Sequence, residues 1–429
     1  MITSFASEYY EISFVLILAA FAIPISRKIA IADIPILIVL GILFGPVLGI
    51  INHTFAINFL TNFGYVGVGL LGIMIILYYE SHHMDLKVIR RHFWRILSLD
   101  TIGILVTAVV AGAIFSALTG APFTIGFLFG AIISPTDPVT LIPLFRRIRI
   151  KDDISGTLIG ESLFNDPLGI ILVTIAIVII DPTANYVSLF TSISSHVGIY
   201  AGTIVYFLAQ IIIPSVIGIV IGFSMIFLNR FLNFENLLVA LLLGVVILEF
   251  TILEAAGFTP FPAIIATGAI VGNFSDKSIF WNREQNFQEN LSFLSQAIIF
   301  LLLGSILTAF QISNYIVLGI ILTIFMILLV RPVAVFLSLL AVRRKGSSLK
   351  TPNRLKAFFS LVGPRGVVSV VMSTVPYTVG LADNIPVLIT YGPLISVMVS
   401  FVVLFSIILQ TIYVPFLAKY LSSDWIDSL

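Results

Sequence analysis

GESLFNDPLG, residues 160–169, sets Glu161, Asn165 and Asp166 inside one of the longest apolar runs of a 429-residue chain. A charge at the centre of a membrane helix costs about 2.5–3.5 kcal/mol on insertion scales, so carboxylates there need partners, protons or water. On a helix, Glu161 and Asn165 stand four apart, as do Ser162 and Asp166, and the four share one face. Pro167 has no N–H, which frees the carbonyl of Leu163 from its helical partner. One polar stripe on an otherwise apolar helix predicts a span that lines an aqueous funnel inside a bundle. Its hydroxyl, amide and carboxylate oxygens suit an alkali cation or a proton; lacking His and Cys, the set does not suit a transition metal.

Composition supports the bundle. Hydrophobic residues make up 59% of the chain and charged residues 10%, with a mean hydropathy of +1.15. Soluble domains carry about 25% charged residues, so the fold class is an all-α polytopic membrane protein. The opening MITSFASEYYE has no basic segment ahead of its apolar run and does not read as a cleavable signal. Cysteine is absent, which excludes disulfides and thiolate metal sites.

Apolar runs of roughly 17 to 25 residues give about thirteen transmembrane helices, near 9–29, 34–51, 57–80, 94–119, 122–145, 154–180, 199–229, 235–254, 259–273, 287–309, 313–341, 353–380 and 386–420. All but two of the 22 Lys and Arg residues follow odd-numbered spans, and the alternate loops carry none. By the positive-inside rule the N-terminus is outside and the C-terminus cytoplasmic, in a cell (plasma) membrane. The two exceptions, Arg331 and Arg365, lie within spans.

The residues placed by this count within the membrane are Glu80, Asp100, Asp137, Glu161, Asp166, Glu249, Glu254, Arg331 and Arg365. Glu80, Asp100, Glu249 and Glu254 fall near span ends, where a side chain reaches the interface. The five histidines are also expected at or near span ends. The others coincide with helix breakers. In GAIISPTDPVTLIP (130–143), Pro135, Pro138 and Pro143 free the carbonyls of Ala131, Ser134 and Val139 around Asp137. Such carbonyls are tolerated in a membrane where they line a cavity or coordinate something. In LVGPRGVVSV (361–370), Gly363, Pro364 and Gly366 weaken a second span around Arg365, which needs a carboxylate such as Glu161 or Asp137; Arg331 has the same need.

Pairing spans one to six with eight to thirteen, with the seventh as connector, sets the discontinuous fifth helix against the discontinuous twelfth. The result is two inverted six-helix repeats. Broken spans at matching places in inverted halves point to a secondary transporter's mid-membrane site. Glycines four apart, at Gly41/Gly45, Gly45/Gly49, Gly126/Gly130 and Gly268/Gly272, predict close helix packing. A passive channel also fits broken helices. An intramembrane enzyme does not: no HExxH or GxSxG stands in any span.

SPTDPVT (134–140), GESLFNDPLG and GPRGVVS (363–369), in this order, resemble the monovalent cation/proton antiporters, above all the NhaP-type Na+/H+ antiporters of prokaryotes and the animal sodium/proton exchangers. The resemblance spans essentially the whole chain. It implies exchange of Na+ or Li+ for H+ by alternating access, with K+/H+ exchange on the same fold as the alternative. Asp166 would hold the proton or the cation in turn, and Asp137, Ser162 and the Thr136 carbonyl would be further ligands, placing Na+ at Asp137, Ser162 and Asp166. Asn165 stands where electrogenic relatives carry a second Asp, which implies electroneutral one-for-one exchange. Glu161 and Arg365 match a buried ion pair tying the sixth span to the twelfth, Arg331 takes the place of a Lys in electrogenic relatives, and Glu80 resembles an acidic residue of the cytoplasmic funnel.

The resemblance also implies a homodimer in membrane lipid, with a dimerisation subdomain near 9–80 and 235–309. A linker helix near 199–229 and a core near 93–181 and 313–420 complete the expected layout. No cofactor beyond the transported ions, no nucleic acid partner and no regulatory tail after Lys419 are expected. The residues leave Na+, K+ and Li+ undistinguished.

Overall fold

A computed structural model describes residues 2–29, 33–61, 68–137, 152–182, 188–232, 237–275, 279–342 and 353–421, with the isolated positions 145, 150, 184 and 234. Its elements are helices: α1 (Ile2–Ile29), α2 (Asp33–Ile42, continued by a wider turn at Leu43–Val47), α3 (His53–Thr61) and α4 (Val68–His82). α5 runs from Leu86–Ser98 through a wide turn at Leu99–Gly103 into Ile104–Thr119; α6 is Phe123–Ile133, α7 Asp152–Ile180, α8 Ser188–Val197 and α9 Ile199–Leu232. They are followed by α10 (Leu238–Ala255), α11 (Phe261–Phe274), α12 (Ile279–Ser305) and α13, which joins Ala309–Phe325, Met326–Val330 and Arg331–Val342. The broken segment comprises α14 (Asn353–Leu361), α15 (Val367–Met372) and α16 (Val375–Ala382), and α17 is Pro386–Leu421.

Among the described residues, eight helices are long and apolar enough to cross a membrane, and four shorter apolar ones accompany them. Large apolar side chains face outward, among them Phe227 and Phe231 on α9 and Phe310 and Val317 on α13. In water such faces would be costly; they suit the apolar interior of a bilayer.

Glycine sets how closely the helices approach. A Cβ on Gly41 would lie 2.0 Å from the Leu301 carbonyl oxygen, and one on Gly304 2.2 Å from that of Ile38, so α2 and α12 meet backbone to backbone. Gly112 against Gly126, and Gly130 against Ala108, weld α5 to α6 in the same way. Gly268 and Gly272 seat α11 on Ser81 and His82 of α4. His82, expected at an interface, is buried by that contact. Gly49, grouped by spacing with the packing glycines, instead turns the chain at φ +68° with nothing beside it.

Both interruptions expected from proline are seen. α6 ends at Ile133 and residues 134–137 leave the helix; the rest of that expected span, 138–144, lies outside the described residues. The chain is likewise unwound over 362–366, between α14 and α15. By contrast α7 runs unbroken through Pro167. The expected start of the fourth span at 94 is corrected to Leu86. Asp85 caps that helix by accepting from the Lys87 N–H at 2.7 Å.

Candidate functional site

The two unwound segments meet in the interior. The Asp137 N–H donates to the Pro364 carbonyl at 2.8 Å, a main-chain bond between one break and the other. Gly366 makes the approach possible: a Cβ there would lie 2.2 Å from the Asp137 Cβ and 2.3 Å from its Oδ2. Gly366→Ala is therefore expected to cost about 1–3 kcal/mol by overpacking, read as a lower melting temperature of the purified protein.

The carbonyls freed by proline find donors. Ser134 Oγ donates to the Ala131 carbonyl at 2.8 Å. The Ser134 carbonyl, released because Pro138 has no N–H, accepts from Arg365 Nη1 at 2.7 Å, and the Pro135 carbonyl accepts from the same nitrogen at 3.1 Å. Arg365 thus spends its guanidinium on main-chain oxygens of the opposite break.

Glu161 is paired with Arg331. Nη1 of Arg331 lies 2.6 Å from Oε1 and Nη2 2.9 Å from Oε2, a bidentate bond buried on both sides. Arg331 also donates through Nε to the Phe359 carbonyl and through Nη2 to that of Val362, both at 3.3 Å. The expected Glu161–Arg365 pair is corrected accordingly. A carboxylate offering two oxygens matches the fork of one guanidinium, and the wide turn Met326–Val330 immediately precedes Arg331 on α13. Arg365 still acts electrostatically with Glu161, without a direct bond between them.

On α7, Glu161, Ser162, Asn165 and Asp166 are all buried. Asn165 Nδ2 donates to Thr136 Oγ1 at 2.8 Å, and its Oδ1 accepts from the Thr136 N–H at 3.4 Å. That pair of contacts sets Asp166 beside Asp137: Glu80 and Asp137 both act electrostatically on the Asp166 carboxylate. Glu80, half-buried in the last turns of α4, likewise feels Asp137. Thr136 and Asp137 of the first break thus lie at Asn165 and Asp166 of α7, a crossing bridged by Asn165, with Glu80 within electrostatic reach and Ser162 buried one turn away on α7.

Two expected span-end residues fall elsewhere. Asp100 sits in the wide turn of α5, 2% exposed, with neither carboxylate oxygen hydrogen-bonded. It lies within electrostatic reach of Glu161, Arg331 and Asp166. Starting the fourth span at Leu86 would have revealed this, since Asp100 then lies mid-helix. Glu249 is buried away from the crossing, where it accepts from Thr267 Oγ1 at 2.9 Å.

Comparison with known proteins places the whole chain in a family. A family profile described as sodium/hydrogen exchanger, transmembrane, matches residues 15–420. The chain is 31% identical over 395 residues to Na(+)/H(+) antiporter 1 of Methanocaldococcus jannaschii, covering 87% of this chain and 85% of that protein. It is 30% identical over 293 residues to the K(+)/H(+) antiporter NhaP of Alkalimonas amylolytica, covering 67% of this chain and 46% of that one. The solved structure of the sodium proton antiporter MjNhaP1 from M. jannaschii at pH 8 superposes with a TM-score of 0.83 at 28% identity, covering 97% of this chain and 99% of that one. The crossing of two broken helices over buried carboxylates thus stands in a chain that belongs to the transmembrane sodium/hydrogen exchanger family.

Proposed function

We propose that this chain exchanges Na+ for H+, one for one, with Asp166 holding either the proton or the cation. The observation that carries the reading is Asp166 itself: a buried carboxylate facing Asp137 and Glu80 where two unwound segments supply oxygens. Ser162, Thr136 and Asp137 would complete a hard oxygen cage for an alkali cation, which takes such ligands. Asn165 supplies an amide where a second carboxylate would add charge, which favours electroneutral exchange. Glu80 would draw cations toward the crossing from the cytoplasmic side. Na+ is preferred over K+ because a relative 31% identical and matched over 87% of this chain and 85% of its own length is named for Na+, whereas the K(+)/H(+) antiporter NhaP of Alkalimonas amylolytica is matched over 46% of its length.

The layout fits alternating access. α2 and α4 pack on α12, while α5, α6, α7, α13 and α17 surround the crossing. The former set would form a dimerisation panel (9–80 and 235–309), with α9 (199–229) as linker, and the latter the moving core (93–181 and 313–420). The panel would pair with that of a second copy in the membrane. The basic loops favour a cytoplasmic C-terminus and an N-terminus outside, in a plasma membrane.

The test is proton flux in proteoliposomes with an imposed pH gradient, adding Na+, Li+ or K+ in turn, with and without valinomycin and K+ to clamp the voltage. Na+-evoked flux unchanged by the clamp is the expected result. Flux that tracks voltage would return the channel reading, and flux evoked by K+ alone would assign K+/H+ exchange. Because one carboxylate serves both ions, the Na+ concentration giving half the maximal rate should rise as pH falls.

A further inference from the structure

The break between α14 and α15 leaves main-chain groups that no helical turn supplies. The Gly363 N–H donates to Gln410 Oε1 at 2.8 Å, the Arg365 N–H donates to Ser406 Oγ at 3.3 Å, and the Leu361 carbonyl accepts the Tyr413 hydroxyl. Ser406, Gln410 and Tyr413 stand four and three residues apart on α17, so they form one polar stripe on an apolar helix. Ser406 and Gln410 are each 2% exposed. Polar groups buried in a bilayer are costly without partners, and these three all address residues 361–365.

Those same residues hold the other break. Pro364 accepts the Asp137 N–H, Arg365 donates to the Ser134 and Pro135 carbonyls, and Gly366 lies against Asp137. A small cavity lined by Ser360, Gly363, Arg365, Ser406 and Gln410, with Arg331 at its wall, borders the unwound chain on the α17 side.

We propose that Ser406, Gln410 and Tyr413 are positioning residues for the cation site. α17 fixes the main chain of the break, and the break in turn fixes Asp137 and the carbonyls beside it. None of the three bonds directly to Asp137 or Asp166. This rests on the reading of Asp137 as a cation ligand, and it locates control of cation affinity on a helix outside the crossing.

The test is Na+-evoked proton flux from wild type, Gln410→Met and Gln410→Glu, each titrated with Na+ and each melted. Met fills the space of Gln without an acceptor, and Glu keeps an acceptor oxygen at the same reach. Gln410→Met should raise the half-saturating Na+ concentration about tenfold, the scale of one orphaned buried N–H, with the maximal rate retained. Gln410→Glu should recover most of that affinity. Should Gln410→Met fail to fold, Ser406→Ala, with Ser406→Thr as its rescue, decides in the same way.

Wild-type half-saturation in the apolar variant overturns the proposal. So does a fall in maximal rate and melting temperature together at unchanged half-saturation, since that describes a brace and nothing more. Absence of Na+-evoked flux from the wild type would instead overturn the functional reading, and this inference with it.

Discussion

Asp166→Asn is expected to reduce cation-evoked proton flux to the background of protein-free liposomes while the protein stays folded. Asn matches Asp in size, so packing around α7 survives. Its amide neither releases a proton in this pH range nor offers a charge to a cation. Asp166 is a buried carboxylate, 7% exposed, within electrostatic reach of Asp137 and Glu80. The variant also removes one negative charge from a crowded acidic group, so its melting temperature should hold or rise. Flux in proteoliposomes and a melting curve on the same preparation check both halves. Exchange by a folded Asp166→Asn would move the shared carboxylate to Asp137 or to Asp100.

The second large effect concerns stability. Glu161→Gln and Arg331→Met should each cost about 3–5 kcal/mol, because either alone strands a buried charge. Together they should cost clearly less than their sum. Some loss remains in the double variant, since Arg331 also serves the carbonyls of Phe359 and Val362. Glu161→Gln with Arg365→Met should come much closer to additive, because Arg365 is bonded to Ser134 and Pro135. Melting temperatures of the three single and two double variants in detergent decide the pairing. Strong coupling between Glu161 and Arg365 with none to Arg331 would contradict the bidentate bond.

The bundle and the crossing were legible because their signals are unlike their surroundings. Prolines and carboxylates inside apolar runs can be read without any knowledge of neighbours, and Asp137, Asp166 and both breaks were found that way. Partner choice was less legible. Two arginines and several carboxylates allow more than one pairing, and the bond from Arg331 to Glu161 follows from the turn of α13 and the depth at which it meets α7. The sequence did show that Pro138 frees the Ser134 carbonyl. That an arginine and not the cation alone would claim that oxygen needed the second break to be placed against the first. Asp100 was misplaced for a simpler reason: LKVIRRHF (86–93) carries Lys87, Arg90 and Arg91, which delay the apparent start of the span, although the helix had already begun at Leu86. The polar stripe of α17 was overlooked because Ser, Gln and Tyr scarcely disturb an apolar run.

The bond from the Asp137 N–H to the Pro364 carbonyl belongs to the peptide chain itself. Among substitutions at position 137, only proline removes its donor. The main-chain frame of the proposed ion site is therefore reached by substitution only through what packs on it, Gly366 and the polar stripe of α17. Replacing the single amide at position 137 by an ester, which deletes the donor and leaves every side chain in place, would reach a part of this machine that ordinary mutation cannot.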